Sequence, residues 1–401
     1  MGRFLTSFAE LTEHPPRHLL LLYSGGVDGS YLLHRLGSAE LKVTALNVRI
    51  GEGKEEIGHA APHATALGAE FMEVDATHEF FADFLPAAIH ADAFYQGQFP
   101  VGSTLTRPLM ARVAVAVARR LGCDAVGHTA TYMQNSALRI SASVAALAPD
   151  IDVAAPFLGS DVPRDEKLAA LAGAGVSFST GIHSIDTNPW SRVIECGTLE
   201  SPENPLDDSV FVLTRPLADT PAAAEDIELA FRNGLPFAMN GAERSMADLV
   251  STLNSLAGNH GIGRFVGLED TAFGVKNHEV RESPAAAVIT AAHRALSNAI
   301  FNTREHTVRA QLATEWTNTV VGGGWFGHLG QSLARCLADL DGPVTGTICL
   351  RLHRGTVTVV RLETSNGRYY SRLGQEFHDW MHQYSYAPWL SLSTLGTSSR
   401  R

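Results

Sequence analysis

The sequence predicts an α/β protein with a parallel-sheet domain over residues 1–174, an α+β domain over residues 175–370 and a C-terminal tail over residues 371–401. Two observations point to this division. The first half alternates short apolar runs with helical stretches, whereas prolines and turn residues become frequent after about Ala172. The chain has 401 residues, 45% of them hydrophobic, so it is long and apolar enough to build two or three cores.

Alternating strands and helices define the first domain. Such alternation predicts parallel strands with helices on both faces of the sheet, and ligands then bind beyond the carboxyl ends of the strands. The predicted strands are His18–Tyr23, Lys42–Val48, Ala69–Asp75, Asp124–His128 and Val153–Pro156, and the predicted helices are Gly29–Leu36, Glu55–Leu67 and Thr104–Leu121.

The second domain mixes helices with strand-like stretches. Met246–Ala257 and Ala285–Phe301 have helical periodicity. Val344–Leu350 and Thr356–Arg361 flank His353-Arg354-Gly355, which predicts a hairpin. The tail is aromatic-rich and then polar, and we expect its end to fray.

Composition excludes several classes of protein. The net charge of −11 and the sequence pI of about 5.8 argue against broad adhesion to nucleic acid or to an anionic membrane, although a local basic pocket could still hold phosphates. Four scattered cysteines without a C-x-x-C pair are too few for a disulfide scaffold and fit a reducing cytoplasm. We also expect no signal peptide and no membrane span.

The strongest local signal is a glycine-rich loop between the first strand and the first helix. It reads Tyr23-Ser24-Gly25-Gly26-Val27-Asp28-Gly29-Ser30. Small residues let backbone N–H groups turn toward an anion, and the start of the helix adds its positive dipole end. The lysine of the G-x-x-x-x-G-K-S/T phosphate loop is absent. The loop instead resembles the S-G-G-x-D-S/T-S loop of the ATP pyrophosphatases (PP-loop, adenine-nucleotide alpha-hydrolase-like), with Gly29 in place of a Thr or Ser.

Further segments resemble one branch of that superfamily, the argininosuccinate synthases. The resemblance runs in order from about residue 17 to 370. Arg107–Ala111 matches the family's R-P-L-I-A, His128–Thr131 resembles H-G-x-T, and His183–Glu200 is close to Y-S-x-D-x-N-L-W-G-R-S-I-E-x-G-x-L-E; Asn259–Arg264, Ala291–Leu296 and Val344–Thr347 fit later blocks.

This resemblance implies a synthetase that uses ATP and Mg²⁺. In the family, the ureido oxygen of citrulline attacks the α-phosphorus of ATP and releases pyrophosphate, and the amino group of aspartate then displaces AMP. The implied nucleotide site comprises the loop residues Tyr23, Ser24, Gly25, Gly26, Val27, Asp28, Gly29 and Ser30 together with Val48, Arg107, His128 and Thr129. Asp28, Ser30 and His128 are the expected catalytic residues, and backbone near Asn47–Val48 is expected to meet adenine.

The implied amino-acid pockets depart from the family pattern. Phe99 and Arg281 each replace a Tyr, Val193 replaces a Ser, and Ser136 replaces the Asp of a G-K-G-N-D stretch that reads Tyr132–Ser136 here. A buried site built for hydrogen bonds loses affinity when a partner is removed. The full set of expected substrate contacts is Phe99, Ser103, Thr104, Thr131, Asn135, Ser136, Arg139, Ser184, Val193, Glu269 and Arg281.

Two functions remain open on the sequence. The first is a C–N ligase with an intact ATP half and altered amino-acid substrates, in which Arg281 meets an extra or relocated anionic group; neutral drift with compensation is the alternative explanation of the changed residues. The second is an inactive nucleotide-binding relative that regulates or scaffolds. The expected partners are small-molecule amino acids rather than nucleic acid or membrane, and the resemblance implies a cytoplasmic homotetramer.

Other motifs have ordinary explanations. Gly322–Gly327 satisfies G-x-G-x-x-G but lies far from the α/β half, so we expect a turn. The pairs His59/His63 and His378/His382 lack the glutamate of H-E-x-x-H and an evident third ligand, so we expect solvated helix faces and no metal site.

Overall fold

Parallel strands build the first half of the chain. The computed structural model describes residues 2–37, 41–51, 58–178, 183–271, 273–369, 374 and 379. Its first strands are β1 (Phe4–Leu5), β2 (His18–Leu22), β3 (Lys42–Arg49), β4 (Glu70–Asp75), β5 (Phe94–Tyr95), β6 (Phe99–Pro100), β7 (Ala125–Gly127) and β8 (Asp152–Ala154). Six of these form a parallel sheet in the order β1-β8-β7-β2-β3-β4, and β5 and β6 form a short antiparallel hairpin.

Helices cover both faces of this sheet. They are α1 (Phe8–Glu13), α2 (Val27–Leu36), α3 (Ala60–Ala66), α4 (Leu85–His90, after a π-helical turn at Phe80–Phe84), α5 (Ser103–Leu121), α6 (Asn135–Leu147) and α7 (Arg164–Gly173). Alternate residues of β2 face opposite cores, as a strand requires. Leu20 packs in the core that contains α5, whereas Leu19 and Leu21 pack in the core that contains α2.

Antiparallel sheets build the second half. Its strands are β9 (Ser184–Asn188), β10 (Ser191–Glu195), β11 (Glu225–Arg232), β12 (Leu235–Met239), β13 (Ala242–Glu243), β14 (Arg264–Asp270), β15 (Lys276–Glu282), β16 (Gly346–His353) and β17 (Thr356–Glu363). They form two sheets, ordered β14-β15-β10-β9 and β13-β12-β11-β16-β17. The helices are α8 (Met246–Asn259), α9 (Pro284–Ile300), α10 (Thr303–Val321) and α11 (His328–Leu340).

The predicted fold class is confirmed, with differences at element boundaries. The hairpin forms with Arg354 and Gly355 at φ angles of 42° and 80°, the positive values that a two-residue turn of type I′ needs. The predicted end of the last strand, Val153–Pro156, is wrong. Strand β8 stops at Ala154, and a 3₁₀ turn begins at Pro156, which has no N–H to donate to a neighbouring strand. Of the predicted helix Glu55–Leu67, residues 55–57 lie outside the described residues, as do His378 and His382.

Two minor motifs are also placed. Gly322–Gly327 connects α10 to α11, so the predicted turn is confirmed. His59 is exposed, and the ring of His63 contacts Phe178 with a centroid distance of 5.0 Å. In the part of the chain that the structure describes, no three His, Cys, Asp or Glu side chains come together as a metal site. Every described helix is too short or too polar to cross a bilayer.

A buried polar cluster ties the two halves together. Asp341, at the end of α11, is completely buried. Its carboxylate accepts hydrogen bonds from His90 Nδ1 at 3.0 Å, His293 Nε2 at 2.9 Å and Arg309 Nε at 2.8 Å. The cluster therefore fixes α4 of the first half against α9 and α10 of the second.

Candidate active site

The phosphate loop leads from β2 into α2. Gly25 has a φ angle of 84°, and a Cβ atom there would lie 2.9 Å from the Cβ of Ala60. Glycine is therefore required both for the backbone conformation and for the close approach of α3. Gly26 is the N-cap of α2, so the first N–H groups of the helix lie free of intrahelical partners at the carboxyl end of the sheet. This arrangement suits an anion.

Gly29, the departure from the family loop, changes the packing of Tyr23. A Cβ at position 29 would lie 2.7 Å from Cδ2 of Tyr23. The Tyr23 ring occupies that space, and its Oη lies 2.8 Å from Oγ of the fully buried Ser30. Burial raises the pKa of Tyr23, so the phenol stays neutral. The Ser30 hydroxyl is thus held by a neighbour rather than left free to rotate.

Asp28 has a cationic partner that the sequence did not indicate. Lys167, on α7, donates from Nζ to Asp28 Oδ1 at 2.8 Å. Lys167 Nζ also lies 4.6 Å from the centroid of the Phe157 ring. The Asp28 side chain is 43% exposed, whereas that of Lys167 is only 9% exposed. The pair places a positive charge beneath the phosphate loop and leaves the carboxylate accessible.

Two polar side chains flank the loop at neighbouring strand ends. Asn47, near the end of β3, donates from Nδ2 to the Tyr23 carbonyl at 3.0 Å, and its buried Oδ1 has no hydrogen-bond partner among the described residues. His128, directly after β7, lies 2.9 Å through Nε2 from Ser141 Oγ, while its buried Nδ1 is likewise unpartnered in the described chain. Val48 is buried beside Asn47, and Thr129 beside His128 is half-buried. Two unpaired atoms therefore lie where the nucleotide is expected.

His128 is a neutral group at physiological pH. Complete burial lowers the pKa of its imidazole to about 4. A neutral imidazole can donate or accept a hydrogen bond, but it supplies no positive charge to a triphosphate. Its sequence-predicted catalytic role is therefore restricted to hydrogen bonding at this edge of the sheet.

Arg107 links the nucleotide side to the expected amino-acid side. From α5, it donates from Nε to Ser136 Oγ at 3.1 Å and pairs through Nη2 with Asp186 Oδ2 at 2.8 Å. Arg107 therefore contacts the hydroxyl of Ser136 and the carboxylate of Asp186 on β9. Thr131 lies nearby in sequence, and its backbone N–H donates to Gln134 Oε1 at 3.2 Å. Tyr132 and Met133 of the altered loop are exposed.

A buried ionic network brings four predicted substrate residues together. Arg139 is 2% exposed and donates from Nη2 to Glu269 at 2.9 Å and from Nη1 to Ser103 Oγ at 3.1 Å. Asn135 donates to the other Glu269 oxygen at 3.2 Å. Burial opposes ionisation of Glu269, but Arg139 and Arg281 outweigh it and hold the pKa of the carboxyl below its usual range. Thr104 is buried next to Ser103 on α5, whereas Ser184, at the start of β9, is exposed.

The three changed pocket residues Phe99, Val193 and Arg281 lie at one place. The guanidinium of Arg281 lies over the Phe99 ring, and Val193 on β10 is the cross-strand partner of Arg281 on β15. Arg281 Nη1 donates to the Pro100 carbonyl at 3.2 Å, and Nε donates to Glu279 at 3.0 Å. The three residues that the sequence analysis predicts to depart from the family pattern are therefore neighbours in the structure.

Arg281 has two buried carboxyl groups of the protein as neighbours, Glu279 and, at 3.9 Å, Glu269. Its side chain is 2% exposed and forms an ion pair with Glu279. Burial raises the pKa of Glu279 to about 7, although Arg281 acts in the opposite direction. The structure thus gives Arg281 a packing and pairing role in the pocket wall, and its contact with an anionic substrate group stays a prediction.

A cleft of about 220 Å³ opens beside the buried network; we call it the substrate cleft. It is lined by Tyr95, Asn135, Leu138, Asp270, Thr271, Asn318, Val321 and Gly322. Thr271 Oγ1 is buried without a hydrogen-bond partner in the described residues. Tyr95 donates from Oη to Asp270 at 3.0 Å, and burial raises the pKa of Tyr95 to about 12. Of these residues, the sequence analysis predicted only Asn135 as a site residue. Gly322 was assigned to a turn, and the others come from segments without a recognised motif.

Comparisons with known proteins agree with one another. The family model described as the arginosuccinate synthase N-terminal HUP domain matches residues 18–177, and the one described as the arginosuccinate synthase C-terminal domain matches residues 183–384. Argininosuccinate synthase of Synechococcus elongatus is 36% identical over 361 residues, covering 88% of this chain and 90% of the relative. Argininosuccinate synthase of Listeria monocytogenes is 34% identical over 355 residues, covering 88% of each chain. The matched ranges include the phosphate loop, the network around Glu269 and the Phe99–Arg281 pair.

Proposed function

The chain belongs to the argininosuccinate synthase family, and from this premise we propose that it is an ATP-dependent ligase that forms a C–N bond and releases AMP and pyrophosphate. We further propose that at least one of its two amino-acid substrates differs from those of the ordinary synthase. The ATP half and the amino-acid half are supported by different observations.

The ATP half rests on the phosphate loop. The glycine-rich turn, the start of α2 and the Ser30 hydroxyl offer donors to pyrophosphate, and Lys167 adds a positive charge close by. Asn47 Oδ1 and His128 Nδ1 are buried polar atoms in need of partners at the strand ends beside the loop. A nucleotide would satisfy atoms of this kind.

Mg²⁺ fits the same place. Magnesium usually binds through one or two carboxylates together with substrate phosphates, and the accessible Asp28 carboxylate at the loop is such a donor. When bound, the ion neutralises part of the charge on the triphosphate.

The chemistry has two steps. A substrate oxygen attacks the α-phosphorus of ATP; the new O–P bond forms as the bond to the β-phosphate oxygen breaks, and pyrophosphate leaves. An amine nitrogen then attacks the activated carbon, forms the C–N bond, loses a proton and displaces AMP. The protein contributes by holding the reactants together, which removes much of the entropic barrier, and by placing donors against the developing charge.

The proposal of altered substrates rests on the Arg281–Phe99 stack. Two hydroxyls of the family pocket are absent at Phe99 and Val193, and the Arg281 side chain fills the wall between them. A pocket with fewer hydrogen-bonding groups rejects a polar ligand whose groups would be left unpaired. The adenylated substrate is therefore a ureido or carboxylate compound other than citrulline, or the amine is other than aspartate, as in specialised amino-acid metabolism.

Product analysis tests the altered specificity. The purified protein is incubated with ATP, Mg²⁺, citrulline and aspartate, and argininosuccinate and AMP are measured. We expect little argininosuccinate. Formation at a rate typical of synthetases would contradict altered specificity and leave the ligase assignment intact.

Two further properties are proposed from the resemblance. We expect a cytoplasmic protein and a homotetramer, because members of the family assemble in that way. Light scattering of the purified chain measures the mass of the assembly, and a stable monomer would contradict the tetramer.

A further inference from the structure

A second cleft lies beside the substrate cleft, with strand β5 between them. It has a volume of about 360 Å³ and is formed by Ala91–Gly97, α9 and α10; we call it the reverse cleft. Tyr95 lines the substrate cleft, whereas its neighbour Phe94 lines the reverse cleft, as expected for successive residues of a strand. Along α10, Asn318 lines the first cleft and Thr317 the second. The two clefts thus share their walls but not their lining residues.

Three residues that line the reverse cleft each have a buried polar atom without a hydrogen-bond partner in the described part of the chain. Asp92 Oδ1, Ser297 Oγ and His306 Nε2 have no hydrogen-bond partner among the residues described. Ser297 as a whole is only 3% exposed. Native proteins satisfy nearly all buried polar atoms, so three unpaired atoms in one cleft indicate a bound group.

The charges around the cleft have defined partners. Arg294 donates from Nε to Asp92 Oδ2 at 2.5 Å, and its guanidinium carbon lies 4.8 Å from the centroid of the Phe94 ring. These two contacts hold the Arg294 side chain, which is 50% exposed, beside the cleft. Arg309, by contrast, is occupied by Asp341 and by the His90 carbonyl. The available groups are therefore one cation, one carboxylate oxygen and two further polar atoms, Ser297 Oγ and His306 Nε2.

This combination fits a zwitterion. Asp92 Oδ1 can accept a hydrogen bond from an ammonium group, and Ser297 Oγ can accept a second. The Arg294 Nη groups can bind a carboxylate, to which His306 can donate in its Nε2–H tautomer. A volume of about 360 Å³ is at the lower end of the range for small-molecule sites and suits a metabolite of amino-acid size.

We propose that the reverse cleft binds a free α-amino acid, with its ammonium group at Asp92 and Ser297 and its carboxylate at Arg294. This site is separate from the cleft in which the proposed ligase reaction takes place. A ligand here contacts β5 and α10 from the side opposite the substrate cleft. Because Phe94 and Tyr95 are successive residues of β5, binding at Phe94 affects the position of Tyr95 in the substrate cleft.

Isothermal titration of the full chain with each standard α-amino acid tests the proposal. We expect at least one to bind, and we expect its affinity to fall about tenfold or more, equivalent to about 1.4 kcal/mol, when the carboxylate is capped as an amide or the ammonium is acetylated. The variants D92N and S297A should weaken binding by a similar factor. Asn suits position 92 because its φ angle is 48°.

Matched controls separate this site from the substrate cleft. S251A and D165N change exposed residues of the same types elsewhere on the surface and should leave binding unchanged. N135A changes the lining of the substrate cleft and should also leave this binding intact. Thermal unfolding monitored by circular dichroism checks that each variant folds.

Several outcomes would overturn the proposal. They are the absence of binding by any α-amino acid, equal binding of the capped analogues, binding that D92N and S297A leave unchanged, and binding abolished by N135A alone. A change of assembly mass in the R294E variant, without amino-acid binding to the parent protein, would assign the cleft to contact with a second copy of the chain. Failure of the ligase assay would leave this titration unaffected.

Discussion

The guanidinium carbon of Arg281 lies 3.9 Å from the centroid of the Phe99 ring, although 182 positions separate the two residues. Stacking of this kind is attractive because the cation faces the negative surface of the ring. Arg281 is also paired with Glu279 and lies opposite Val193 across the β10–β15 ladder. Altered selectivity therefore depends on a coupled set of side chains, and the first prediction follows from that coupling.

Restoring the family residues should require all three changes together. In the triple variant F99Y/V193S/R281Y we expect citrulline-dependent AMP release to rise about tenfold or more over the parent, since each regained hydrogen bond contributes about 1 kcal/mol. Each single variant should gain less, because it leaves the other parts of the stack in place. The rate of AMP release with citrulline and aspartate is the measurement. Additive effects of the three single changes would show that the residues are not coupled.

The Ser30 hydroxyl should matter for the nucleotide step. We expect S30A to slow ATP–pyrophosphate exchange about tenfold to a hundredfold, because one donor to the pyrophosphate is lost. Y23F removes the same Tyr23–Ser30 hydrogen bond but keeps the Ser30 hydroxyl, so it should retain most of the exchange. The S251A variant, which changes an exposed serine, is the control for differences between protein preparations. Equal losses in S30A and Y23F would mean that Ser30 acts only through packing.

Asp341 should be required for stability. D341N replaces with a neutral amide a fully buried carboxylate that accepts hydrogen bonds from two histidines and an arginine. Breaking a buried ionic network of this kind costs about 3–5 kcal/mol, so the urea midpoint should fall markedly. D339N, at an exposed position of the same helix, should change the midpoint little. Similar midpoints for the two variants would contradict the role of the cluster.

Glu279 should make stability depend on pH. Burial raises its pKa from the ordinary value of 4.5 to about 7 in the folded state. Between these two values the folded chain retains a proton that the unfolded chain has released, so this group's contribution to the free energy of unfolding decreases as the pH rises from 4.5 to about 7. The variant E279Q should lose that slope, which urea denaturation at several pH values would show. Parallel pH profiles for parent and variant would contradict the raised pKa.

Short-range patterns were the part of the fold that the sequence predicted well. The phosphate loop lies between β2 and α2 as expected, because glycine spacing and strand periodicity are local properties. Strand β1 was not predicted: Phe4–Leu5 is two residues long and is defined by its pairing with β8, about 150 positions away. Strands this short carry too little periodicity to be recognised from their own residues.

Partners distant in sequence could not be predicted for the site. Lys167 has no motif of its own, and its contact with Asp28 arises only when α7 packs beside α2. The sequence indicated that Arg281 was unusual but gave no sign of Glu279 as its partner or of Phe99 beneath it. The type of a side chain can be read from the sequence, whereas its partners depend on the fold.

The central claim is an active ATP half joined to altered amino-acid pockets, and isotope exchange between ATP and labelled pyrophosphate tests it most directly. The full chain is assayed with Mg²⁺ against a panel of ureido and carboxylate compounds that includes citrulline. We predict that at least one compound of the panel supports exchange and that S30A reduces this exchange. Absence of exchange and of AMP release with every compound would contradict the claim and would instead support a non-catalytic, nucleotide-binding relative.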